Sequence, residues 1–425
     1  MNSPTPTLAT LPYEIISHIC RFLDCTSQKQ CRLVNHSIET PATAALFSTV
    51  HITTTIASLE HAKFIGRSSK QSTKVKTIIY HASSLVTSPP GSLDEITDGS
   101  QFGPPCNFVE FDTLIAHLYQ TRQGSTIPWD TLLPQSVVNM RELWQEYEAI
   151  WRARRELESH GYVSQRLRGL LNSFPNVTTV RLVPVTRETP YKPGEHFPYL
   201  CRVDEDAFTD VLSACYDRGD IRCLSATGLL WGSFRPCNDL RVLCEGLREL
   251  HLAIDDRHII LPYSTMRKDF ADFLGLCRNL EVLTLELSIM LHTEHQLYTE
   301  HHRSEPIQMA CNSVLGMIWS KLERVQLSGF HTSERNIKGF FLNNSASLRS
   351  IRFESLQIYN PSEGTLSRSI IDIEKQVTDT VRSCQDACHR LENVRLEGEF
   401  WQERPNVEAV DGAHRFYEGP FLYEG

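Results

Sequence analysis

LEVLTLEL, residues 280–287, places leucine at 280, 283, 285 and 287. The alternation from 283 onward is that of a strand with one buried face, and Leu280 leads into it. The same apolar-x-x-apolar-x-apolar spacing recurs at Val75/Ile78/Tyr80, Val177/Val180/Leu182 and Leu247/Leu250/Leu252. It returns at Leu322/Val325/Leu327, Leu348/Ile351/Phe353 and Leu391/Val394/Leu396, with a weaker copy at Ile221/Leu224/Ala226. Across the last five clear copies the step is about 26 to 43 residues, a degenerate array rather than a strict one.

Amphipathic stretches precede several of these strands. Phe270, Phe273, Leu274 and Leu276 lead into one, Val314, Met317, Ile318 and Trp319 into another, and Ile337, Phe340 and Phe341 into a third. Helix-then-strand units of this kind predict an α/β chain whose repeats bury one continuous core. Residues 83–107 are dense in Ser, Pro and Gly, and predict a mobile loop. A helical pair follows, one helix around Phe111, Leu114, Ile115 and Leu118. The other runs from about 135 to 160, with Val137, Met140, Trp144, Tyr147 and Trp151 on one face. The last 25 residues carry Trp401, Phe416, Tyr417, Phe421 and Tyr423, apolar enough to fold back over the final repeat.

The other informative stretch is LPYEIISHICRFLDCTSQKQCRLVNHSIE, residues 11–39. Pro12 suits a first helical position and Glu14 the positive first turn. Ile15, Ile16, Ile19, Phe22 and Leu23 form one broad apolar face. Ser27 with Gln30 reads as a capping box for a second helix carrying Cys31, Leu33, Val34 and Ile38, and Thr40-Pro41 opens a third. Val50 to Thr53 reads as a strand. Three short helices cannot bury this much apolar surface among themselves, so some of it must meet something else.

Leu11-Pro12-x-Glu14-Ile15-Ile16, Ile19-Cys20-x-x-Leu23-Asp24 and Cys31-Arg32-Leu33-Val34-Asn35-His36-Ser37 together closely resemble the F-box. Cys20 stands where that family usually has an aromatic, and Ile38 where many members carry Trp or Phe. The resemblance implies docking onto a Skp-type adaptor that bridges to a cullin–RING ubiquitin ligase, with Leu11, Pro12, Ile15, Ile19, Leu23, Leu33 and Val34 as contacts. The later strands resemble leucine-rich repeats, without the Asn usual in regular ones, and the pairing is similar to fungal F-box proteins. The expected organisation is a tail (1–10), a three-helix F-box (11–52), an irregular leucine-rich-repeat-like solenoid (53–400, with a loop and helical insertion at 83–165) and a capping tail (401–425).

In such an array the residues between the apolar strand positions line the open face, where a protein substrate would sit. One column reads Arg181, His251, Thr284, Gln326, Arg352, Arg395; the next reads Val183, Ala253, Glu286, Ser328, Glu354, Glu397. Arg181, His251, Gln326, Arg352, Glu354, Arg395 and Glu397 are the substrate-binding candidates. Charges of opposite sign on neighbouring strand positions also stabilise a sheet weakly by themselves.

The net charge of −9 is spread along the 425 residues, with no basic block for nucleic acid. No run nears the ~20 apolar residues of a membrane span, and residues 1–10 lack the pattern of a secretory signal. Thirteen cysteines without a C-x-x-C fit reduced thiols in cytoplasm or nucleus. HTEHQLYTEHH, 292–302, misses the zincin spacing because Leu297 occupies the position that should pair with His301. Cys384-x-x-x-Cys388-His389 has no second pair nearby and reads as core. No catalytic residue, cofactor or metal is expected. The expectation is a non-catalytic substrate receptor of a Skp–cullin–F-box ubiquitin ligase, or alternatively a scaffold that holds the adaptor without ubiquitin transfer.

Overall fold

The structure, a computed structural model, describes residues 11–82, 84–85, 144–145, 147–149, 151–152, 163–185, 201–202, 206–229, 233–234, 239–255, 263–288, 310–354, 356–359, 379, 382–383, 388, 390–398 and 421–424. The 86–107 part of the expected loop, the helix around Phe111, the His cluster at 292–302, Cys384, His389 and residues 401–420 lie outside them. The chain is mixed α/β with parallel strands, and it divides into two compact units, the described residues up to Cys215 and those from Tyr216 onward.

The first unit opens with three helices, α1 (Tyr13–Phe22), α2 (Cys25–Cys31) and α3 (His36–Leu46). α2 is capped not by the Ser27/Gln30 box but by Asp24, whose carboxylate accepts the Ser27 N–H at 2.7 Å. α3 starts earlier than Thr40-Pro41 predicts, because the Asn35 side chain accepts the Ile38 N–H at 3.0 Å and nucleates the turn before Pro41 is reached. Ile38 therefore belongs to α3.

Three strands follow in parallel, β1 (Thr49–Thr53), β2 (Thr77–His81) and β4 (Thr179–Val183). Val50, Ile78 and Val180 align across them, as do Ile52, Tyr80 and Leu182, all buried. The boundary expected at residue 52 thus runs through β1. Helix α4 (Ile56–Arg67) packs Leu59, Ala62 and Ile65 inward. Its N-cap Thr55 Oγ1 accepts the Ser58 N–H, while Ser58 Oγ accepts the Thr53 N–H. A one-turn α5 (Ser69–Ser72) follows, and α6 (Val163–Asn172) and α7 (Ala207–Cys215) add further apolar faces. From the expected insertion, β3 (Ser84–Leu85) pairs antiparallel with β5 (Cys201–Arg202), which lies beyond it, and Tyr147, on the predicted aromatic stripe, is buried.

The second unit carries β6 (Cys223–Leu229), β7 (Glu249–Asp255), β8 (Val282–Ser288), β9 (Arg324–Ser328), β11 (Ser350–Glu354) and β13 (Asn393–Gly398). They are parallel, and each is the neighbour of the next in this order. Leu224, Leu250, Leu283, Val325, Ile351 and Val394 fall in one register column, all at most 4% exposed. Leading in are α8 (Arg241–Gly246), α9 (Tyr263–Leu276) and α10 (Glu334–Asn344), which bury Leu243, Phe270, Phe273, Leu274, Ile337, Phe340 and Phe341. Ile318, expected to pack inward, is instead 69% exposed, because the helical turn before it ends by residue 315 and Trp319 takes the buried place.

Two glycines permit close approach. Gly329 has φ +69°, and a Cβ there would drive into the Leu287 carbonyl. Gly246 leaves room for the Gly219 carbonyl. Asn344, buried at the end of α10, accepts the Trp319 N–H at 2.8 Å and donates to the Phe340 and Met317 carbonyls, tying the turn at 317–319 to the helix. Short β10 (His331–Ser333) and β12 (Gln357–Tyr359) pair beside the main strands. β14 (Phe421–Glu424), from the tail, pairs antiparallel with β13.

Candidate functional site

The helical module splits the apolar face read from the sequence. At about 100° per residue, Ile15, Ile19 and Phe22 share one stripe of α1, while Ile16 and Cys20 lie on the next. Ile16 and Cys20 are buried with Ile38 and Ala42 of α3, and Leu11, Cys31 and Ala45 pack partly against them. The module thus has a small core of its own, and burial raises the pKa of the Cys20 thiol, with Cys31 adding to the effect. Cys20 and Ile38, the two departures from the F-box pattern, are both part of this core and neither faces solvent.

The rest of the apolar surface stays outside. Tyr13, Ile15, Phe22, Leu33 and Val34 are exposed, five of the nine large exposed apolar side chains among the described residues. Of the seven candidate contacts, Pro12, Ile15, Leu33 and Val34 are exposed, and Leu11, Ile19 and Leu23 are half-buried. Tyr13 and Phe22 were not among the candidates. Phe22 was visible in the periodicity, but nothing in the spacing separates the outward half of an apolar face from the inward half.

Leu33, 87% exposed, and Val34, 64% exposed, project from a constrained turn. Leu33 N–H donates to the Gln30 carbonyl, Val34 N–H to Cys31, and the Arg32 guanidinium lies over the Phe47 ring at 5.5 Å. Gln28 Nε2 donates to the Cys20 and Leu23 carbonyls and so closes the end of α1 against α2. Asn35 then caps α3 immediately after the turn. The amides that present these side chains are thus hydrogen-bonded within the module.

The strand-face candidates divide between the units. Arg181, exposed, lies in the first unit beside Ile79 in register. Nearby, His51 Nδ1 and His81 Nε2 meet at 2.9 Å with stacked rings. Burial is the main reason both hold protons weakly, and His81, with repulsion from His51 added, falls to about 4.

In the second unit His251, Thr284, Gln326, Arg352 and Arg395 form one register column, and Ala253, Glu286, Ser328, Glu354 and Glu397 form another. Arg352 pairs with Glu354 on its own strand, so part of this charge is spent within the sheet. His251 shares a 2.9 Å hydrogen bond with Thr284 Oγ1 and stands beside Glu249 and Cys223, two residues the column reading did not include. They precede the second apolar position of their repeats, and a third column read there would have found them. Among the described residues no helix is long and apolar enough to cross a membrane. No family model matches the chain, and no curated protein matches it.

Proposed function

We propose that this chain is a substrate receptor of the Skp–cullin–F-box type. Helices α1 to α3 are the F-box and hold a Skp-type adaptor; the strand units form a leucine-rich-repeat-like solenoid that presents a target protein. The observation that carries the reading is the outward display of Ile15, Leu33 and Val34 on a module whose own core is already filled. Large apolar groups on a hydrogen-bonded turn are the anatomy of an interface anchor.

The solenoid part is supported by strand order following chain order, and by alternating burial in β4, β9 and β11. Parallel sheets covered by helices on both faces read as continuous apolar strands, whereas these keep one face open. The receptor needs no catalytic residue of its own. It raises the local concentration of a target lysine near a conjugating enzyme, an effect of proximity.

The test is capture of purified adaptor by the full chain. Wild type is expected to bind, and Ile15→Asp or Leu33→Asp to lose at least tenfold in affinity while the thermal transition stays in place. Undiminished binding by both variants, or none by wild type, refutes the F-box assignment. Target half-life with and without the adaptor-binding residues then separates a receptor from a scaffold.

A further inference from the structure

Cys223 on β6 and Glu249 on β7 are register partners, so their side chains leave the sheet on one face a strand spacing apart. His251, two residues beyond Glu249, emerges on that same face. Cys223 Sγ, a carboxylate oxygen of Glu249 and an imidazole nitrogen of His251 lie within 4.8 Å of one another, and all three residues are half-buried. His251 Nε2 is 3.8 Å from Glu249 Oε2. Ligand atoms around a tetrahedral zinc are roughly 3.4–3.8 Å apart, given bonds of about 2.0–2.3 Å, so small side-chain rotations would close the set.

The imidazole is already oriented. His251 Nδ1 shares a 2.9 Å hydrogen bond with Thr284 Oγ1 on β8, which turns Nε2 toward Glu249; in the tautomer whose Nδ1–H donates to Thr284, Nε2 offers its lone pair to a metal held there. Such an outer hydrogen bond is what fixes the tautomer of a metal-binding histidine. The flanking cations are turned elsewhere: Arg222 Nη1 donates to the Gly246 carbonyl, and Arg248 Nη1 to the Glu245 and Leu247 carbonyls. Just past the group the β6–β7 register shifts between Ala226 and Leu229, where Gly228 has φ 69°. Such irregularities re-aim side chains at sites in sheets.

We propose that Cys223, Glu249 and His251 bind a divalent transition metal of the zinc type, with Thr284 positioning the imidazole and a fourth coordination position left to water. Thiolate with imidazole and carboxylate is a borderline-soft donor set, whereas calcium and magnesium take oxygen ligands. On binding, the thiol proton passes to solvent as the metal–sulfur bond forms. The site stands whether or not the chain is an F-box receptor.

The test uses the full chain and zinc chloride alone, with magnesium chloride as comparison. Alkylation of Cys223 by iodoacetamide is followed by mass spectrometry of its peptide, and exposed Cys25 serves as the internal reference. Zinc is expected to slow Cys223 at least tenfold without slowing Cys25, and magnesium to do nothing. Glu249→Gln and His251→Gln are expected to remove the protection, and Thr284→Val to raise the zinc concentration needed for it by roughly 10–100-fold. Equal Cys223 rates with and without zinc in the wild type overturn the proposal, whatever the variants do. Protection that survives His251→Gln overturns it too.

Discussion

Replacing Ile38 by Ala distinguishes the inside of the helical module from its outside. Ile38 is 1% exposed and packs with Ile16, Cys20 and Ala42, a cluster too small to collapse around a void. Loss of its outer methyl and methylene groups plus the cavity left behind should cost about 3 kcal/mol. Leu33 is 87% exposed, so Leu33→Ala removes little buried surface and should cost at most about 0.3 kcal/mol. Hydrogen exchange of the α3 amides in the full chain is the assay, because it reads local opening of this module directly. Ile38→Ala should speed exchange on α3 by roughly a hundredfold, and Leu33→Ala by less than about twofold. If Leu33→Ala loosens α3 as much as Ile38→Ala does, the division into core and display face is wrong.

Gly329→Ala forces a Cβ into the Leu287 carbonyl at φ +69° and should lose at least about 2 kcal/mol, seen as a lower thermal midpoint. Gly339→Ala, within α10 and with open space around its Cβ, should instead gain about 0.5–1 kcal/mol; a loss at 339 matching that at 329 would discredit the steric account. His81 takes up a proton at about 4 in the folded chain but near 6.5 when unfolded. Its contribution is therefore intact above ~6.5 and is lost as pH falls from there toward ~4, about 3 kcal/mol in all and about 2 kcal/mol of it by pH 5. His81→Gln should flatten that slope in urea titrations at pH 7.5 and 5, and an unchanged slope would remove His81 as its source.

The strands were legible because a half-buried strand writes its burial directly into every second residue. All eight apolar-x-x-apolar-x-apolar segments coincide with strands of the structure. A ninth, Phe47-x-x-Val50-x-Ile52, has the same spacing, but the helical pattern before it draws the boundary at 52 and hides β1 as a partner of β2. Helix starts were less legible, since Asp24 and Asn35 compete with Ser27 and Thr40 and only geometry decides between near-equal caps. The display residues were half legible. Periodicity shows that α1 is apolar over a wide arc, yet Ile15 and Ile16 are neighbours in the chain and have opposite fates. Cys223 and Glu249 stand 26 residues apart, and no local motif can join them; only the register of β6 on β7 does.

The turn at Arg32–Asn35 has a kinetic consequence. The Arg32, Leu33 and Val34 amides are already engaged, and the Arg32 guanidinium is stacked on Phe47, so Leu33 and Val34 have little backbone freedom left to surrender. A partner meeting them would not have to wait for a loop to order. Encounter would be close to rigid-body docking, with an association rate set by orientation and with substitutions at the two side chains changing how long the complex lasts.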